Sequence, residues 1–168
     1  MTKISNGFFI APYSAEDTAE AVALWNSIVK AGRAFPQEDE LDLISGHEFF
    51  RLQTFTGIAR STTDRQLAGL YILHDNNVGR CRHIANASYA VAEAFRGRGI
   101  GELLVRHCIE QAGKSQYKIL QFNAVVKSNT PALNLYRKLG FVQLGIIPAG
   151  FRNIHGEYED IIPHYITL

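Results

Sequence analysis

Val91-Ala92-Glu93-Ala94-Phe95-Arg96-Gly97-Arg98-Gly99-Ile100-Gly101 is the stretch on which the fold turns. Ahead of it, residues 83–91 form a run rich in small residues that reads as a central strand. Behind it, residues 99–113 carry Ile100, Leu103, Leu104, His107 and Cys108 at helical spacing, with Glu102, Arg106 and Glu110 facing outward. A strand therefore ends, a glycine-rich loop follows, and a helix begins at once, which is the arrangement phosphate binding needs. Glycines let the backbone approach an anion, N–H groups point outward at the helix start, and the helix dipole adds roughly half a positive charge. Arg96 and Arg98 can add charge-assisted hydrogen bonds. A plain tight turn with solvated arginines is the alternative. The strand-to-helix context, with Gly97, Gly99 and Gly101 beside two arginines, favours the anion site. The spacing excludes a P-loop, which needs four residues between its first Gly and a Gly-Lys-Ser/Thr. A G-x-G-x-G run past mid-chain also fits the Rossmann fingerprint poorly.

Outward from this junction the elements alternate. Residues 7–13 read as a short strand, and Ser14 caps a helix to about residue 31, with Gly32 at its stop. The polar stretch 36–42 leads to a helical patch at 47–53 and then to a β-hairpin formed by 54–60 and 67–74. Asp75, Asn76, Asn77 and Gly79 make the next turn. Residues 118–126 read as a strand, 129–139 as a helix opened by a polar cap and Pro131, and 141–147 and 158–166 as closing strands. Antiparallel strands followed by strand–helix alternation describe an α/β (α+β) domain over residues 1–168, a mixed sheet covered by helices.

Composition narrows the functional classes. The chain has 168 residues, 17 Lys+Arg against 16 Asp+Glu, and 46% hydrophobic residues, which suits a single globular core without metal or disulfides. A net charge of +1 lacks the basic surplus of a nucleic-acid binder. Two cysteines, Cys81 and Cys108, do not make a disulfide framework. No membrane span or signal-peptide core is legible, so a cytoplasmic protein is expected. The six histidines, His47, His74, His83, His107, His155 and His164, show no close pair at metal-ligand spacing, and no metal site is expected.

Arg96, Gly99 and Gly101, with Val91 five residues before the arginine, resemble the R/Q-x-x-G-x-G/A motif of the GNAT superfamily of acyl-CoA N-acyltransferases. Asn129, Ala132, Leu135, Tyr136, Gly140 and Phe141 resemble that family's second signature, an Asn-capped helix carrying a Tyr and ending in Gly-Phe. The resemblance covers residues 67–168 firmly and the N-terminal third loosely. It implies a splayed sheet of about seven strands with acetyl-CoA lying in the gap. The pyrophosphate would sit on Arg96, Gly97, Arg98, Gly99, Ile100 and Gly101, pantetheine would run along the backbone near Val91, and Asn129 would make a side contact to the cofactor. A finer likeness joins Phe35-Pro36-Gln37, Asn86-Ala87-Ser88-Tyr89, Phe122-Asn123 and Asn129, with the segment 145–148, to the fungal GNAT enzymes that acetylate azetidine-2-carboxylate. It implies that Asn86 and Asn123 line the substrate site with Tyr89 nearby, and Phe35 joins them as a substrate contact. The fungal enzymes carry Trp where this chain has Tyr136, and they are longer at the N-terminus.

The chemistry sets its own demands. An amine of pKa near 10.4 is protonated at pH 7, and freeing it costs about 4.6 kcal/mol. Attack on a thioester builds an oxyanion and expels a thiolate that benefits from a proton donor. Tyr136, on the same helix face as Ala132 and Leu139, is the candidate acid, with a half-buried core aromatic as the alternative. Asn86 and Asn123 fall in otherwise apolar strands, where an unpartnered amide costs roughly 1–3 kcal/mol. They hold substrate or a relay water, or else they bond to backbone at a splay. Residues 83–91 contain no Asp or Glu, so a water relay is the expected base, with His83 a candidate if it faces the cleft. The acidic stretch 37–42 can receive a cationic substrate or be a solvated loop, and the segment 151–159 is expected to edge the acceptor cleft. The expected activity is acetyl transfer from acetyl-CoA to a small amine, an amino or imino acid, by direct attack in a ternary complex. Acetylation of a peptide N-terminus or a lysine, and a non-catalytic acyl-CoA-binding module, are the alternatives. A homodimer is compatible, since domains of this kind often pair, although no stripe in the sequence marks a face for it.

Overall fold

The computed structural model describes residues 4–5 and 7–168. The elements run β1 (Ile4–Ser5), β2 (Phe8–Pro12), a 3-10 turn, α1 (Thr18–Ala31), α2 (Leu43–Arg51), β3 (Phe55–Ser61), β4 (Leu67–Asp75), β5 (Ile84–Val91), α3 (Ile100–Lys114) and β6 (Ile119–Phe122). α4 (Thr130–Lys138), β7 (Val142–Gln143), β8 (Ile147–Arg152), β9 (Tyr158–Ile161) and β10 (His164–Thr167) complete the chain. Eight strands form one sheet in the order β1-β2-β3-β4-β5-β6-β10-β7, and β8 and β9 form a separate ribbon. This is the expected mixed sheet, and its count reaches eight through two-residue strands at both edges.

Helices cover both faces. α1 spaces Ala21, Leu24 and Trp25 along one stripe and packs them with Phe50 of α2 on Ile58, Leu70, Ile72 and Ala90 of the sheet. α3 and α4 cover the other face, where Leu104, Cys108 and Tyr136 meet Tyr71, Ala85, Ala87 and Phe122. Capping chemistry fixes the helix ends. Gly32 closes α1 at φ 57, and Asp42 opens α2 by accepting the Ser45 N–H at 2.7 Å. That cap starts α2 four residues before the patch expected at 47–53. The Ser14 N–H donates to the Asp17 carboxylate at 2.7 Å, which holds the 3-10 turn ahead of α1.

The decisive feature is a parting in the sheet. β5 pairs antiparallel with β4 along its whole length, from Ala85 opposite Asp75 to Val91 opposite Gly69. On its other side it pairs parallel with β6 only through Ile84↔Ile119, Ala85↔Leu120 and Asn86↔Gln121. Beyond Asn86 the strands diverge. β6 is also shorter than the expected 118–126, because the chain past Phe122 leaves the sheet and joins the ribbon. Val126 bridges to Ile161, Ile162 N–H donates to the Val125 carbonyl at 2.8 Å, and Lys127 N–H donates to Asp160 at 2.9 Å. The run read as one strand over 158–166 is two, β9 and β10, parted at Pro163, which has no N–H to give. The strand expected over 141–147 is likewise cut short, since Gly145 at φ 137 turns the chain out of the sheet and into β8.

Candidate active site

The loop between β5 and α3 takes the conformation its glycines permit. Gly97 (φ 75) and Gly99 (φ 81) are left-handed, and Gly99 caps α3. The first intrahelical bond runs from Leu103 N–H to the Gly99 carbonyl at 3.1 Å, so the N–H groups ahead of it open outward. Arg96 and Arg98 flank them in solvent, Arg98 lying 5.5 Å over the Phe95 ring. A Cβ at Gly97 would meet nothing within 4 Å, and one at Gly101 would touch only Leu135 at 3.5 Å. Internal packing therefore does not require these two glycines, and the open surface above them can take a phosphate.

Where β5 and β6 part, a cavity of about 570 Å3 opens, within the range of small-molecule sites. Its wall on the α1/α2 side is built from Phe35 and Gln37 after α1, Phe49 of α2 and Gln53 just after it, His74 from β4, and Asn86 and Ser88 from β5. Tyr89, Phe122, Asn129, Ala132 and Tyr136 close the α3/α4 side. Thus Phe35, Asn86, Tyr89, Asn123, Asn129 and Tyr136, all expected in the site, line one cavity. Val91, Arg96, Gly97, Arg98, Gly99, Ile100 and Gly101 lie outside its lining, at the far end of β5 and the start of α3. Among the described residues no Asp, Glu, Lys or Arg lines it.

Each lining side chain has a physical reason for its place. Trp25 is 1% exposed and packs on Phe35 in a tilted arrangement with ring centroids 4.4 Å apart, fixing that wall to α1. Asn86 donates its amide N–H to the Gln121 carbonyl at 3.1 Å, pinning β5 to β6 at their last pair. Asn123 lies past the end of β6 and is exposed, contrary to its expected place inside an apolar strand. Its amide joins a chain in which Gln121 donates to Asn123 at 2.9 Å and Asn123 to Asn76 at 2.6 Å. Asn129 caps α4, accepting the Ala132 N–H at 3.4 Å.

Tyr136 packs against Phe122 and Phe141, at 4.6 and 5.5 Å, and burial pushes its hydroxyl above the ordinary phenol range. Burial raises Tyr89 and the Cys108 thiol as well, the thiol to about 12. The Tyr89 hydroxyl is buried without an oxygen or nitrogen partner among the described residues. His164, beside Tyr136 at 5.7 Å, donates from Nδ1 to the Ile162 carbonyl at 2.7 Å, and its buried Nε2 has no partner among the described residues.

The structure decides three sequence readings. His83 is exposed and outside the cavity, so it does not face the cleft as a base. The stretch 37–42 is the solvated loop of its two readings: Glu38, Asp39 and Glu40 are exposed, Glu38 pairs with Arg152 at 2.5 Å, Glu40 pairs with Lys30 at 3.1 Å, Asp42 caps α2, and Gln37 lines the cavity. The segment 151–159 contributes no lining residue and buttresses the wall from behind. Phe151 and Ile161 pack on Val126, and Ile154 sits where a Cβ on Gly32 would come within 2.8 Å. Gln53 joins the cavity without having been named, and His74, Asn76, Gln37 and Ser88 join it without having been given a role in the site, Gln37 and Ser88 having been quoted only as part of the finer likeness. The one available signal was the parity of β5, which sets Asn86 and Ser88 on one face. Among the described residues no three His, Cys, Asp or Glu gather as a metal site, and no helix is long and apolar enough to cross a membrane.

The parted sheet and the glycine cradle have counterparts among known proteins. Residues 21–141 match the Acetyltransferase (GNAT) family, and the chain belongs to that family. N-acetyltransferase aca1 of Schizosaccharomyces pombe is 34% identical over 95 residues, a match covering 56% of this chain and 46% of that protein. The aligned region thus spans under half of that curated relative. The structure of a GCN5-related N-acetyltransferase from Kribbella flavida superposes with a TM-score of 0.89 at 28% identity, covering 96% of this chain and 98% of the other. A phosphinothricin acetyltransferase from Sinorhizobium meliloti, solved with acetyl-CoA, has the same fold, with a TM-score of 0.89 at 17% identity over 96% of this chain and 89% of the other. Acetyl-CoA is the acyl donor of this class, and the outward N–H groups, the two arginines and the gap beside β5 fit it.

Proposed function

We propose that this chain is an N-acetyltransferase that moves the acetyl group of acetyl-CoA to the amine of a small amino or imino acid by direct attack in a ternary complex. One observation carries the reading: the gap beyond Asn86↔Gln121 opens into a cavity with Tyr136 on one side and an uncharged, amide-rich wall on the other. Amide and hydroxyl groups can bond both the carboxylate and the amine of a zwitterion. A lysine side chain or a polyamine calls instead for acidic lining, and this wall has none. The likeness to a fungal N-acetyltransferase adds support.

In this reading Arg96, Gly97, Arg98, Gly99, Ile100 and Gly101 hold the pyrophosphate, and Val91 lies along the pantetheine arm. Asn129 contacts the cofactor from the head of α4. Asn86, Asn123, Tyr89 and Phe35 bound the acceptor, and the Tyr136 hydroxyl, kept protonated by burial, protonates the departing thiolate. Two free cysteines suit a reducing cytoplasm. A homodimer is supported by exposed Val142, Leu144, Ile146 and Ile147 along and beyond the edge strand β7, and sedimentation would report it.

The test is thiol release from acetyl-CoA with amino acids, proline analogues, polyamines and a lysine peptide. Release with amino or imino acids is expected. Release only with the peptide or polyamine would replace the acceptor class, and acetyl-CoA binding without any release would make the chain a binding module. Tyr136→Phe should lower kcat at least about a hundredfold with the Kd for acetyl-CoA unchanged.

A further inference from the structure

We propose that His74 is the general base of the acceptor site, its Nε2 taking the ammonium proton of the incoming amine. The inference rests on the acetyltransferase reading above. The lining holds few groups that can change protonation: His74, Tyr89 and Tyr136. The two phenols are buried and keep their protons, which suits them to donate. His74 is left, and its hydrogen bond decides which nitrogen is available. Nδ1 lies 2.9 Å from the Asp75 carbonyl, and a carbonyl only accepts. Nδ1 therefore carries the hydrogen in the neutral ring, and Nε2 carries the lone pair.

Position agrees with this role. His74 stands opposite Asn86 in the β4–β5 register, so the two side chains share the α1/α2 face of the sheet, and Tyr136 approaches from the α3/α4 face. Base and acid thus flank the gap from opposite sides. β5 supplies no carboxylate, and the neighbouring strand supplies an imidazole at the same level. The charged groups around it are already paired. Asp75 bonds Arg82 at 2.6 Å and Tyr117 at 2.5 Å, while Phe49 of α2, Gln53 after it, and Asn86 and Ser88 of β5 bring no charge to that face of the lining.

The step balances without a further reactant. His74 Nε2 takes one proton from the ammonium and passes it to solvent. The freed nitrogen forms the C–N bond at the thioester carbonyl as the C–S bond breaks. Tyr136 protonates the departing sulfur and recovers its proton from the new amide nitrogen. The products are the acetylated amine, free thiol and one proton.

The test is His74→Gln, with His74→Asn as a second replacement, checked by circular dichroism and acetyl-CoA affinity. The expected result is a kcat/KM for the acceptor lower by about 10²–10⁴-fold. The acidic limb of the pH–rate profile should disappear, and exogenous imidazole should restore part of the rate to His74→Gly. The loss should shrink along the series amino acid, amide and nitrile, whose ammonium groups release their proton progressively more easily. A purely structural histidine would slow all three equally and leave the pH limb in place, and that result overturns the proposal. A wild-type protein that turns over while His74→Gln stays within twofold also overturns it. Failure of the wild type to release thiol with any amine instead removes the acetyltransferase reading, and the role of His74 with it.

Discussion

The two halves of the proposed site are built in opposite ways. The proposed cofactor half is continuous: β5, residues 92–99 and the first turn of α3 follow one another in the chain, and internal packing does not call for Gly97 or Gly101. The acceptor half is gathered from the α1–α2 connection, α2, the end of β4, β5 and the loop after β6, and its geometry depends on what stands behind each piece. Damage to the first should therefore appear as a change in cofactor affinity alone. Damage to the second should reach stability and acceptor recognition together.

The largest contrast is expected at Trp25. Trp25→Ala removes a buried ring that holds Phe35, and it should cost about 3–5 kcal/mol in urea unfolding. The acceptor KM should rise while the acetyl-CoA Kd stays put, and a parallel loss of cofactor affinity would break the separation. Arg96→Ala should do the converse. Losing a charge-assisted bond of roughly 1.5–3 kcal/mol weakens acetyl-CoA about 10- to 100-fold with an unchanged melting temperature, as calorimetry and thermal unfolding can establish.

A pH titration of stability probes the core beside Tyr136. Burial lowers the His164 pKa below 6.5, so the unfolded chain binds that proton first, and stability falls as the pH drops below about 6.5. Asp75, held down chiefly by the Tyr117 hydroxyl, and Glu102, by Lys138, lie below their ordinary values, so their contributions fade only at more acid pH, below about 4. Urea midpoints between pH 8 and 3 should show both stages, and His164→Gln should lose the first. The smallest effect is expected at the Glu38–Arg152 pair, which ties the ribbon to the acceptor wall across solvent. Glu38→Gln should move the urea midpoint barely at all, and high salt should erase any difference.

The same contrast explains what the sequence disclosed. The β5–α3 junction was legible because glycine, arginine and helical periodicity act within a few residues of each other. Asn129 as a cap and Tyr136 on the packed face followed from a single helix, while their roles toward cofactor and thiolate came from the resemblance to the GNAT signature. Asn123 was misplaced because residues 118–126 read as one apolar run, and only pairing with β9 divides it between two sheets. His74 gave no local sign, since its role depends on β4 register and on the carbonyl of the next residue. The β8–β9 ribbon was hidden for a similar reason, being defined by a turn at Gly145, a Pro163 break and contacts made far along the chain.

The parting of β5 from β6 has a consequence for self-association. Unpaired strand edges usually face outward, where another chain can add to them and seed aggregates. This one lies inside the molecule, with β6, β10 and β7 beyond it on the same sheet. A neighbouring protein's strand cannot reach it without dismantling those three, whereas a slender linear molecule can slide in from the open end. Burying the edge leaves β5 past Asn86 outside the β6 ladder in a place a thin ligand can reach and another polypeptide's strand cannot.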